Sequence, residues 1–189
     1  MAFRRNFNKQ NLSPREKYAN NYKSGRAYLL MVAILTVISI ITTLVTENGT
    51  YFIFSAGVPR FLVLMGKILC GKFADYDYSA LGFEDFEPFP DGVLITLTVI
   101  ALVITALYVL CWFFSSRGRV VFMIIGLVLF CIDTLAMLVL FAISEILIDI
   151  ALHIVVIVYL IIAIVSLYKL KNMPPEMPAD LEIEETSNE

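Results

Sequence analysis

Apolar residues in this chain gather into long runs, with little of the strict alternation that marks barrel strands. Four runs, residues 27–46, 93–114, 120–142 and 146–167, are each long enough to cross a hydrocarbon core of about 30 Å, which takes about 20 helical residues. Backbone groups in lipid must be bonded within their own segment or in a closed barrel, so these runs predict four transmembrane helices. A further stretch, 51–72, is apolar but interrupted by Pro59, Arg60 and Lys67. An arginine at the centre of a true span costs roughly 2.5–3.5 kcal/mol on insertion scales, whereas a proline suits the first turn of a helix. The pattern therefore predicts an all-α membrane protein, with four transmembrane helices plus one interfacial or re-entrant helix on the outer side.

Charge placement fixes the expected orientation. Arg4, Arg5, Lys9, Arg15, Lys17, Lys23 and Arg26 precede the first run, against the single acid Glu16. Lysine and arginine in short loops mark the cytoplasmic side. If 51–72 does not cross, the turn containing Arg117 and Arg119 and the end containing Lys169 and Lys171 fall on that same side. Eleven of the fourteen basic residues are then inside, leaving Arg60, Lys67 and Lys72. A fifth crossing would put both groups outside. The expected organisation is a basic cytoplasmic segment 1–26, a membrane domain 27–170 with an outer region 47–92, and a disordered acidic cytoplasmic tail 171–189.

Composition agrees, with 59% apolar and 16% charged residues against about 25% charged in soluble domains. The first run follows 26 largely polar residues and has no small-x-small cleavage site, so it is expected to stay in the mature protein rather than act as a signal peptide. Three cysteines, Cys70, Cys111 and Cys131, have no CxxC spacing and suggest neither a disulfide framework nor a zinc site. The sequon Asn48-Gly49-Thr50 lies against the end of the first run. Within 73–91, acids alternate with aromatics that suit the headgroup level. The calcium-loop likeness of Asp75-Tyr76-Asp77-Tyr78-Ser79 fails at Ala80 and Phe86, where glycine and the bidentate glutamate are required.

The candidate chemistry is an intramembrane polar cluster of Asp133, Asp149, His153 and Glu145. Asp149 and His153 are four residues apart and share a helix face, which Glu145 continues. A hairpin turning near Ser144 sets Asp133 opposite about residue 155, within reach of His153. Ionisable residues inside spans suggest a proton relay or an ion pathway; the plainer role is an interhelical hydrogen bond that locks the hairpin. Arg60 and Lys67, seven apart on one face, are positioned to contact an anionic lipid headgroup, to reach toward Asp133, or to snorkel to the interface. The basic N-terminus is explained by topology and implies no nucleic acid. No phosphate-binding, dinucleotide, nucleophile-elbow or HExxH motif occurs, so no cofactor or metal is expected.

The phrases Asn20-Asn21-Tyr22-Lys23-Ser24-Gly25-Arg26, Thr50-Tyr51-Phe52-Ile53-Phe54-Ser55-Ala56, Ile132-Asp133-Thr134, Ile148-Asp149-Ile150-Ala151-Leu152-His153 and Tyr168-Lys169-Leu170-Lys171 resemble a group of small, uncharacterised four-span membrane proteins of Firmicutes, especially clostridial bacteria. Arg60 stands where an aromatic would be expected. The resemblance spans 20–172 and implies a bacterial cytoplasmic membrane; it carries no known activity. With no soluble domain to hold a separate active site, the expected function is a non-enzymatic accessory, regulatory or self-associating subunit, in a homo-oligomer or larger membrane complex. The alternatives are a small proton- or ion-coupled carrier or channel using Asp133 and His153, and an intramembrane enzyme acting on lipid.

Overall fold

The computed structural model describes residues 12–46, 55–73, 87–141 and 143–174, except for the side chains of 143–145. Among them are five helices: α1 (Pro14–Val45), α2 (Gly57–Leu69), α3 (Gly92–Ser115), α4 (Val120–Leu140) and α5 (Ile143–Asn172). Four of these, all but α2, are long and apolar enough to cross a membrane. The predicted fold class holds. The sequon, the calcium-like stretch, most of the aromatic and acidic region and the acidic tail beyond residue 174 lie outside the described residues, while 171 and 172, expected in that tail, belong to α5.

The long helices form a ring in which α1 packs on α3 and α5, and α4 on α3 and α5. The shorter α2 packs against α3, α1 and α4. Around a core of residues such as Leu29, Phe130 and Leu160, the bundle also presents apolar side chains outward and keeps polar ones inside: Val139 is 85% exposed, while Thr36, Ser39, Thr105, Asp133, Asp149 and His153 are buried. In lipid this is the stable arrangement, because hydrocarbon solvates valine but not carboxylate or hydroxyl.

Helix α1 starts well before the predicted span at 27. Ser13, Pro14 and Glu16 explain why: Ser13 Oγ accepts from the Glu16 amide, and the Ser13 amide donates back to Glu16 Oε2 at 3.0 Å, a capping box with proline in the first turn. Basic residues of α1, the α3–α4 turn and the end of α5 gather at one end of the bundle. There, the Tyr22 hydroxyl donates to the Ser115 carbonyl and Arg26 Nε to Ser115 Oγ, tying α1 to the α3–α4 turn, which closes on Gly118 at φ 69°. Arg15 donates to the Pro174 carbonyl, and Lys169 lies over the Tyr18 ring. Further along, α1 and α5 meet closely at Gly25, where any Cβ would overlap the Ala163 side chain, and Tyr28 stacks on Tyr159.

Candidate functional site

Helix α2 has its first turn inside the bundle. A helix begins with four backbone N–H groups that have no partner of its own, and in a dry interior each needs one. All four are accounted for. The Ala56 amide donates to Thr36 Oγ1 of α1 at 2.8 Å. The Gly57 and Val58 amides donate to the two carboxylate oxygens of Asp133 on α4, each at 2.9 Å. Pro59, the next residue, has no N–H to satisfy. Gly57 permits this approach, since a Cβ there would run into Met137, one turn beyond Asp133 on the same face of α4. The Asp133 charge also meets the positive end of the α2 dipole.

The other end of α2 is closed by a Schellman motif, with Lys72 N–H donating to the Lys67 carbonyl at 2.8 Å, Gly71 N–H to the Ile68 carbonyl at 3.0 Å, and Gly71 at φ 65°. Lys67 is only 6% exposed, and its ammonium donates to the Thr43 and Thr46 carbonyls at 3.1 and 2.6 Å. It thus caps the C-terminus of α1, a destination more specific than snorkelling and one in which backbone oxygens hold the charge. Arg60 lies in the first turns of α2 and is half-buried.

The structure brings Asp133, Asp149 and His153 together. His153 Nε2 is 3.7 Å from Asp133 Oδ2, a close ion-pair distance but longer than a hydrogen bond. Its Nδ1 lies 2.8 Å from the Asp149 backbone oxygen, one turn back, and therefore carries a proton to donate there. Nδ1 is also 3.4 Å from Asp149 Oδ1, although its proton is directed at the carbonyl. The ring is held flat against Phe130 at 4.7 Å between centroids, and Phe130 meets Tyr108 edge-on. The imidazole thus stands between two carboxylates. Among the described residues, no group of three or more His, Cys, Asp or Glu is arranged to hold a metal ion. Glu145 lies on α5, with its side chain outside those described.

Comparison with family models, curated proteins and solved structures yields no match. The local chemistry has to be read from these side chains alone. Sequence reasoning missed the chief partner of Asp133, which is a helix terminus; Pro59 and Gly57 were the available signals, because a proline removes a donor and a glycine allows close approach. It also missed the buried hydroxyl stripe of α1, where Thr36, Ser39 and Thr43 recur at helical spacing.

Proposed function

We propose that the chain is a non-enzymatic subunit of a bacterial plasma membrane, accessory, regulatory or self-associating in role, built around a half-helix held inside a four-span bundle. The observation that carries this reading is the capping of α2. With Asp133, Thr36 and Pro59 disposing of every free donor, the terminus that would otherwise attract an anionic substrate is already filled from within. Gathering the basic residues of α1, the α3–α4 turn and the end of α5 at one end of the bundle supports cytoplasmic chain ends, with α2 entering from the opposite face.

Native mass spectrometry from membrane nanodiscs tests the role: a defined oligomer is expected, and a strictly monomeric chain with no bound protein would overturn it. A second reading, a proton-coupled carrier, is favoured by the burial of Asp149 and His153. Proteoliposomes that acidify in response to a potential, and cease to do so on His153→Phe substitution, would replace the first reading with this one.

A further inference from the structure

The end of the bundle that carries the α3–α4 turn is far out of charge balance. Among the described residues there, α1 contributes four bases from Arg15 to Arg26, the turn two and the end of α5 two, against the single acid Glu16. Glu16 is already engaged by the Ser13 amide, and none of the ion pairs among the described residues lies at this end.

Membrane lipid answers only part of this excess. The Tyr22 hydroxyl donates to the Ser115 carbonyl, so Tyr22 marks the level of the turn that joins two spans. Arg15 and Lys17 lie seven and five residues before Tyr22, about 10 and 7.5 Å further out at 1.5 Å of rise per residue. The end of α5 accompanies them: Arg15 donates to the Pro174 carbonyl at 3.1 Å, and Lys169 Nζ is 5.3 Å from the centre of the Tyr18 ring. Helices α1 and α5 thus project past the turn as a two-helix stub, with Lys17, Lys169 and Lys171 exposed. That offset is comparable to the Debye length of about 8 Å in physiological salt, so headgroup charge reaches the stub much weakened.

The chain itself supplies the complementary charge. Pro174 is followed by Glu176, Asp180, Glu182, Glu184, Glu185 and Glu189, with no lysine, arginine or histidine in 175–189. Attachment at Pro174 starts this segment beside Arg15; even Glu185, eleven residues on, stays within about 36 Å of extended chain. A tether this short gives an effective concentration on the order of millimolar. An open groove of about 230 Å³, lined by Pro14, Arg15, Met173 and Pro174, adjoins the same point. Its lining is apolar apart from Arg15, which suits a segment such as Leu181-Glu182-Ile183, where aliphatic and acidic residues alternate.

We propose that residues 175–189 dock in cis on the α1–α5 stub, their carboxylates pairing with Arg15, Lys17, Lys169 and Lys171. The stub is an acid-binding surface and the tail is its tethered occupant. This adds an interaction surface to the function proposed above and is independent of the α2 cap and of the buried cluster.

Zero-length carbodiimide coupling, which joins a lysine amine to a carboxylate only where the two touch, tests this on the full chain in nanodiscs of zwitterionic lipid. Isotope-labelled and unlabelled chains are mixed before reconstitution. Links from Lys17, Lys169 and Lys171 to the acids of 175–189 are expected within chains of one isotope, with none from Lys72 at the opposite end of the bundle. Exposed ion pairs are individually weak, so raising salt to about 1 M, where the Debye length falls to about 3 Å, should cut the yield about tenfold. Lys169→Glu combined with Lys171→Glu, both on the exposed surface, should reduce the remaining Lys17 links by a similar factor. Absence of links to 175–189, or an undiminished Lys17 yield in the double variant, would overturn the proposal. Links joining labelled to unlabelled chains would overturn it too, by making the occupant a second copy. Changing to anionic lipid should leave the links in place; their loss would assign the surface to headgroups instead.

Discussion

At the scale of single residues, Asp133 is the side chain that holds the first turn of α2 to α4. Its replacement by alanine leaves two buried amides without acceptors, each worth about 1–3 kcal/mol, so Asp133→Ala should lose roughly 2–6 kcal/mol in a reversible unfolding assay in mixed micelles. Asp133→Asn keeps one acceptor oxygen and should lose about half as much. Pro59→Ala tests the same terminus from the other direction, because it adds an N–H where none is provided for; a loss of about 1 kcal/mol is expected, although alanine is ordinarily the better helix former. That Asp133 and His153 lie close together was legible, since antiparallel hairpins fix which residues share a level. The main partner of Asp133 was harder to read, because Gly57 and Pro59 mark a helix start but do not say which side chain caps it.

At the scale of elements, the spans could be read from the chain because length and apolarity are local properties and the membrane rewards both. The true start of α1 was also written locally, in Ser13-Pro14-Arg15-Glu16, but as a capping signal rather than a hydropathic one. The burial of α2 was only half legible: Pro59 and Arg60 argued against a crossing, but the depth of its first turn depends on Thr36 and Asp133 from other helices. Lys67 joins two elements. Lys67→Met removes a charged donor from two carbonyls and should cost about 1.5–3 kcal/mol, with faster amide exchange confined to the last turn of α1 and the adjoining α2. The α1–α5 contact is tested by Gly25→Ala, which overpacks against Ala163 and the Tyr159 carbonyl oxygen; a loss of about 1–3 kcal/mol is expected, partly restored by the compensating Ala163→Gly in a double-mutant cycle.

At the scale of the whole molecule, orientation is checked with single cysteines and a membrane-impermeant thiol reagent on intact cells. Cys70 and Cys111 are buried and Cys131 is half-buried, which limits background labelling. Asp91→Cys should label and Ser116→Cys should not; the reverse result would invert the topology. The same architecture also dictates an order of events during synthesis. Lys67 finds its acceptors in α1, which leaves the ribosome first, whereas the carboxylate that receives Gly57 lies 76 positions downstream. A growing chain can therefore tether the far end of α2 at once, but its near end has no counter-charge until α4 emerges. The near end has only Thr36 of α1 to receive it before then, so the first turn of α2 is fully capped only once the third crossing is in place.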